Sequence, residues 1–228
     1  YGCFRYDKVL SRDPDSLGYS YEVSPGLRIL LVDVNTKENP GILTDQTYEW
    51  IEKQLKDAQA AGASVIAVSH QNVLAHNRLF TEGFVMKNNE KLSALYEKYR
   101  VLCNLSGHMH LQHIAQSENG LVEIATSALP VSPCQYGVLE VTPEDGVRYH
   151  TEQLNFPHAE EAEQLMWDSS IRTVKEEVDD PSEMLCSFFA ELNTAYFAGR
   201  TDRVAWNEEL YRQLCTEPSF LGIYVQSI

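Results

Sequence analysis

Apolar residues recur along this chain in two rhythms. Through the first 156 residues, short apolar or alternating runs are interleaved with segments in which apolar positions return at every third and fourth residue. From residue 159 onward only the second rhythm remains. Residues 19–24 alternate as a strand, Pro25-Gly26 turns, and residues 27–34 form a nearly continuous apolar strand interrupted by Arg28 and Asp33. Pro40-Gly41 closes the following loop. Thr44 then has the character of an N-cap with Asp45 in the first turn, and a helix is predicted to Ala61. Its positions Tyr48, Ile51, Leu55 and Ala58 share one face, and Gly62 is a natural stop. Residues 64–69, Ser-Val-Ile-Ala-Val-Ser, are short, β-branched and apolar on both faces, as a buried strand requires. A second helix over residues 89–100 gathers Leu92, Leu95, Tyr96 and Tyr99 on one side and leads into the apolar run 101–106. Strand, helix and strand at this spacing predict an α/β fold with a mostly parallel sheet in this region.

Beyond residue 110 the pattern changes to hairpins. Strands are predicted at 113–118 and 121–126 around Asn119-Gly120, and at 136–141 and 147–153 around Glu144-Asp145-Gly146, extending the sheet in antiparallel fashion. The mixed, polar residues 1–17 read as irregular. After Pro157 the chain turns acidic and helical: Ala162, Leu165, Met166, Val174 and Val178 fit one helical face. Asp180-Pro181 reads as a restart, with proline in the first turn and a stripe of Met184, Leu185, Phe188, Phe189 and Leu192 running to Gly199. That stripe reads as packing. Thr201-Asp202 is expected to open a third helix toward Leu214. The expected organisation is an α/β portion over 1–156 and an all-helical region over 157–228.

Composition narrows the functional classes. The 228 residues are 43% hydrophobic, enough for a substantial core, and carry 33 Asp and Glu against 18 Lys and Arg. The formal net charge of −15 disfavours sequence-independent binding to nucleic acid or to an anionic membrane. A phosphate-bearing substrate would therefore need a local positive centre, which bound metal ions supply. Cysteines at 3, 103, 134, 186 and 215 contain no Cys-X-X-Cys pair and suggest neither a disulfide framework nor a thiolate zinc site; Cys103 reads as a small buried hydrophobe. No apolar run approaches a membrane span, so a soluble protein is expected, cytoplasmic or exported. The sequence opens on Tyr1-Gly2-Cys3 without a methionine, and reads as a piece of something longer.

The chemistry gathers where two apolar strands end. One closes as Val68-Ser69-His70, the other as Ser106-Gly107-His108-Met109-His110. Neutral imidazole suits zinc, manganese and iron alike, and glycine permits close backbone approach. In an open α/β sheet ligands collect at the carboxyl ends of strands, so the three histidines are expected to converge there. The alternative is histidines on surface loops. Asp33 reads first as the turn cap before Asn35, with metal ligation as the alternative. His76 reads first as a polar helix-start residue, with contact to substrate as the alternative. His113, His150 and His158 carry no such signal, and no Gly-X-Ser-X-Gly elbow supports a serine nucleophile.

An apolar strand ending in Ser-His, followed later by Gly-His-X-His, resembles the second half of the calcineurin-like metallophosphoesterases. The preceding Leu30-Leu31-Val32-Asp33, Gly41-Ile42-Leu43-Thr44 and Glu49-Trp50-Ile51-Glu52-Lys53-Gln54-Leu55 are similar to the strand, loop and helix those enzymes place before their middle histidine. The likeness covers roughly residues 19–142. It implies half of an αββα sandwich, mixed sheets flanked by helices. It also implies that His70 and His108 ligate the second metal and His110 the first. In that family two divalent ions, Mn, Fe or Zn, lie on the order of 3.5 to 4 Å apart, clamp a phosphoryl oxygen and activate a bridging water.

The family's first-half motifs, Asp-X-His, Gly-Asp with a further Asp, and Gly-Asn-His-Asp/Glu, do not occur in this sequence. Three neutral imidazoles do not balance two dications. The chain is therefore expected to hold one metal ion or none and to be inactive alone, with phosphate-ester hydrolysis belonging to the complete protein. A half-sandwich is also expected to leave a sheet edge open to self-association. The rival reading is a non-catalytic metal-binding or interaction module built on the same three histidines.

Overall fold

In the computed structural model residues 8–35, 41–142, 146–155, 157–215 and 219–228 are described. Cys3, Pro40 and the Glu144-Asp145 turn lie outside them, as do the first seven residues of the segment read as irregular. The fold is mixed α/β, with a seven-stranded mixed sheet and flanking helices among the described residues.

The sheet contains β1 (Val9–Arg12), β2 (Tyr19–Ser24) and β3 (Leu27–Val32). After α1 (Asp45–Ala60) come β4 (Ser64–Ser69), α2 (Asn89–Lys98), β5 (Cys103–Ser106), β6 (His113–Gln116) and β7 (Val122–Ala125). The strand order is β1-β2-β3-β4-β5-β7-β6. Strands β1, β2 and β3 meander antiparallel, while β3, β4, β5 and β7 run parallel. The parallel pairing of β3, β4 and β5 follows from α1 and α2 between them, because a crossover returns the chain to the same end of the sheet; β7 joins β5 parallel after the intervening strand β6.

Local chemistry accounts for these elements. Thr44 is the N-cap of α1, its hydroxyl accepting from the Thr47 N–H at 3.1 Å. The helix stops at Gly62, whose φ of 66° is costly for residues with a Cβ. The predicted face of α1 is buried, Tyr48, Ile51, Leu55 and Ala58 each being at most 4% exposed. It packs with Leu30, Val32, Val65 and Ala67 of the sheet and with Leu92 and Tyr96 of α2.

Two features of this sheet depart from expectation. Residues 9–12 form a strand, which a half-exposed four-residue segment does not advertise; its evidence is the long-range ladder to β2 and the Trp50 indole, which donates to Ser11 Oγ at 2.9 Å. Strand β7 lies parallel to β5 instead of extending an antiparallel run. It sits inside the sheet between β5 and β6, and its residues Glu123–Ala125 are buried, as an interior parallel strand demands.

Contacts divide the chain into two compact units. The first takes residues up to 76 with 80–108 and 114–125; the second takes 77–79, 109–113 and 126–228. In the second, β8 (Gln135–Thr142) and β9 (Gly146–Gln153) form a separate two-stranded antiparallel sheet, so these strands do not extend the large one. The described residues beyond 157 form α3 (Ala159–Glu177), α4 (Glu183–Phe197), a 3-10 turn at Thr201–Arg203, α5 (Glu208–Leu214) and α6 (Phe220–Val225). Ser182, not Asp180, caps α4, its hydroxyl accepting from the Leu185 N–H at 3.2 Å; Asp180 has a left-handed φ of 47°. Thr201-Asp202 opens only the 3-10 turn, and Asn207 caps α5. The α4 stripe is buried at Leu185, Phe188, Phe189 and Leu192, but Met184 faces out, as does Leu165 of α3. Asn77 anchors this unit's helices, donating its amide to Tyr196 Oη at 2.7 Å.

Candidate metal-binding pair and its support

The register of the parallel strands brings two histidines together. Val68 pairs with Leu105, so the residues just past the strands come level, and the Gly107 N–H donates to the His70 carbonyl at 3.1 Å. His70 is exposed and His108 half-buried. His108 Nδ1 lies 3.1 Å from His70 Nε2, and the rings meet edge to face with centroids 4.9 Å apart. The other nitrogen of His108, Nε2, is 3.0 Å from the Gly83 carbonyl oxygen, and the Phe84 ring stands 5.2 Å from the same imidazole.

The two nitrogens stand at hydrogen-bonding distance, and that spacing is also the one two imidazole nitrogens take on a shared ion. Two imidazole nitrogens bound at about 2.0–2.1 Å lie roughly 2.9 Å apart at a right angle and roughly 3.3 Å apart at a tetrahedral angle. The 3.1 Å separation falls between those values. A dinuclear centre needs more: no group of three or more His, Cys, Asp or Glu placed to hold a metal ion occurs among the described residues.

His110 is exposed and belongs to the second unit. It and His108 both adopt left-handed backbone, with φ of 57° and 65°, a region uncommon for non-glycine residues although histidine is among those enriched in it. Gly107 is not held by space, since a Cβ there would lie 3.8 Å from His70 Nδ1, an ordinary contact; its contribution is the backbone N–H. Asp33 follows β3, the strand beside β4, but its carboxylate oxygens accept from the Asn35 N–H at 3.0 Å and the Leu17 N–H at 3.3 Å. The turn-cap reading of Asp33 is the one observed.

His76 is not a surface helix-start residue. Its side chain is fully buried, with Nε2 3.5 Å from Glu123 Oε2. Glu123 is the hub of a buried polar network behind the histidines. Its carboxylate accepts from the backbone N–H of Val73 at 3.0 Å, from that of Leu74, and from the Asn104 amide at 2.6 Å. Asn104 also donates to Ser69 Oγ at 3.1 Å, and Asn72 donates to Ser106 Oγ at 2.8 Å. Ser69 and Ser106 are the last residues of β4 and β5, so this network fixes the strand ends from which His70 and His108 emerge. Sequence reading passed over Glu123, Asn104 and Asn72. The available signal was a single charged or amide residue inside Leu-Val-Glu-Ile-Ala and Leu-Cys-Asn-Leu-Ser, both otherwise suited to a core strand.

The remaining groups lie elsewhere. His150 and His158 make surface contacts with Glu152 at 3.4 Å and Glu161 at 3.1 Å. Cys103 is buried, and desolvation pushes its thiol up to about 11, consistent with packing and not reactivity. No helix among the described residues is long and apolar enough to cross a membrane.

Solved structures similar to this chain include a dimetal phosphatase from Danio rerio, at 16% identity and a TM-score of 0.42, covering 61% of this chain and 55% of that one. They also include GAP50, the anchor in the inner membrane complex of Plasmodium, at 14% identity and a TM-score of 0.45, covering 62% of this chain and 55% of that one. The chain thus spans little more than half the length of either structure. No protein-family model and no curated protein matches it.

Proposed function

We propose that this chain carries the histidine half of a metallophosphoesterase-type centre, with residues 1–156 as the phosphoesterase portion and 157–228 as a helical region. The observation that carries the reading is the approach of His70 Nε2 and His108 Nδ1 to 3.1 Å at the carboxyl ends of adjacent parallel strands. Those two nitrogens would hold one divalent ion, which when bound supplies a Lewis-acid centre for a phosphoryl oxygen.

The chain's own residues do the positioning. Gly107 ties the two strand ends through the His70 carbonyl, and the network around Glu123 holds the backbone behind them. Two imidazoles contribute no negative charge, so a complete dinuclear centre would also need carboxylates to balance it. In this reading the chain by itself binds one ion and does not turn over phosphate esters.

A second reading is a non-catalytic metal-binding module using the same pair of histidines. Titration calorimetry with zinc and with manganese tests what the two share. One ion per chain is expected, lost in His70→Ala and in His108→Ala. A wild-type chain that binds neither ion at millimolar concentration overturns both readings. Activity restored by a companion polypeptide bearing metal-binding carboxylates separates the first from the second.

A further inference from the structure

Helix α3 carries one apolar face that is closed at one end and open at the other. Ala162, Leu165, Met166 and Val174 lie on that side of the helix. Its C-terminal part is packed: Val174 is 0% exposed, and Ser170, one turn earlier, accepts from the Asn193 amide of α4 at 3.0 Å. Its N-terminal part is not, since Leu165 is 70% exposed and none of residues 159–169 is buried. Three turns of helix without a buried side chain gain little from packing, which is what ordinarily holds a helix in place.

The open part faces a wall that belongs to the same compact unit. Pro130 and Val131 line a groove of about 400 Å³ together with Ala162, Leu165 and Met166. The wall is braced from within: the Val131 N–H donates to the Ala128 carbonyl at 3.0 Å, the Cys134 N–H donates to the Val131 carbonyl at 2.7 Å, and Ser132 and Cys134 are buried. A preformed groove lowers the ordering cost of whatever enters it. Its surroundings carry one sign of charge, because Glu160, Glu161, Glu163 and Asp168 stand exposed on the same turns and the sequence holds no Lys or Arg between Arg148 and Arg172. Glu160 and Glu161 also suit the positive end of the helix dipole; Glu163 and Asp168 lie beyond the first turn, where that reason does not apply.

We infer that this groove docks a basic amphipathic helix of a partner protein, whose apolar side chains seat against Leu165, Met166 and Val131 while its Lys and Arg residues meet the acidic rim. Ala162, Leu165 and Met166 recur at the spacing that a helix laid alongside α3 matches. Charge decides among the occupants. A second copy of this chain brings its own net charge of −15 to an acidic rim, and an anionic membrane or nucleic acid is repelled in the same way. A cationic partner is attracted, and the charges set its orientation while the apolar anchors supply its grip. The inference does not depend on the strand-end histidines.

The probe is a short fluorescein-labelled peptide of leucine and lysine, its leucines at helical spacing, titrated with the full chain and read by anisotropy. Binding is expected, and at least about tenfold weaker binding for a leucine–glutamate peptide and for a serine–lysine peptide that keeps the charge without the anchors. Leu165→Asn should weaken the leucine–lysine peptide at least about tenfold, and its exposure leaves the fold intact. Met184→Asn, at a comparably exposed apolar residue of α4 outside the groove, should change nothing. Glu160→Gln combined with Glu163→Gln should weaken binding and flatten its dependence on salt. No binding of the leucine–lysine peptide, or equal binding by Leu165→Asn, overturns the inference. Equal binding of the serine–lysine peptide reduces the surface to bulk charge and overturns it too, as equal binding of the leucine–glutamate peptide does by removing charge from the account. A concentration-dependent dimer of the wild-type chain that Leu165→Asn abolishes would give the groove to a second copy and overturn the partner assignment.

Discussion

Asn104 and Glu123 are register partners on the adjacent parallel strands β5 and β7, and the buried amide of the first donates to the buried carboxylate of the second at 2.6 Å. A charged group survives full burial only when its hydrogen-bonding capacity is filled. Here the filling reaches across the fold. The carboxylate closes the backbone of Val73 and Leu74, which follow His70, while Asn104 stands two residues before Ser106 and four before His108.

Removing the hub should therefore be costly. Glu123→Ala leaves the N–H groups of Val73 and Leu74 and the Asn104 amide without their acceptor, at roughly 1–3 kcal/mol for each buried group left unsatisfied. A total loss of at least about 3 kcal/mol is expected in urea unfolding, read as a lower midpoint with the slope unchanged. A Glu123→Ala chain within about 0.5 kcal/mol of wild type would show that the network does not hold the strand ends.

Tyr96 gives a prediction of the opposite sign. It is fully buried, and its hydroxyl has no hydrogen-bond partner among the described residues. Burial, the Glu123 carboxylate and Tyr48 all push its ionisation upward, so it stays a neutral phenol. Tyr96→Phe preserves the ring and discards a desolvated polar group, and is expected to stabilise the chain by about 1 kcal/mol. A drop in thermal midpoint would instead reveal a hydroxyl that is satisfied in solution.

The surface pair of helices α1 and α2 should respond to acid. Glu52 accepts from Lys98 Nζ at 2.8 Å and Tyr99 Oη at 2.9 Å, with Lys56 Nζ at 3.4 Å. The Lys98 bond is the main cause, followed by Tyr99, and together with Lys56 they lower its carboxyl from the usual 4.5 to about 2. The folded value lies below the unfolded one, so the contribution is complete above about 4.5 and is lost as pH falls toward about 2. Glu52→Gln should flatten the stability profile across that window, and added salt should shrink the difference between the two chains. Identical profiles for Glu52→Gln and wild type would remove Glu52 from the account.

Gly107→Ala should be tolerated. The added methyl meets His70 Nδ1 and the His70 carbonyl at 3.8 and 3.9 Å, ordinary contacts, and the N–H that binds the carbonyl is retained. A stability change within about 1 kcal/mol is expected, with zinc affinity kept. Loss of zinc binding in a folded variant would show that the glycine itself, not its backbone amide, serves the site.

If the strand-end histidines are half of a centre as proposed, hydrolysis of p-nitrophenyl phosphate by the isolated chain in manganese is expected to stay at background, because imidazoles alone do not balance two dications. Turnover that disappears in His108→Ala would contradict this.

Local pattern alone accounts for α1, α2, β2, β3 and β4 within a residue or two, because a cap, a stop and a repeating apolar face are consequences of neighbouring residues. It likewise marked His70 and His108 as strand-end histidines. Where several local signals compete it failed: Asp180-Pro181 resembles a helix start, but Ser182 caps α4. A four-residue edge such as β1 has no period to read.

What the sequence determined by itself was the kind of element at each place and the residue types delivered to the strand ends. Only tertiary structure decided that β7 slips between β5 and β6, that β8 and β9 stand apart as their own sheet, and that Glu123 ties Val73 to Asn104. It also decided that the Gly83 carbonyl meets His108 Nε2. Each of these joins residues about 19 to 50 positions or more apart, or depends on sheet order, and so depends on how packed elements meet. Periodicity reports which face of an element avoids water, and it carries no record of which distant donor finds which acceptor.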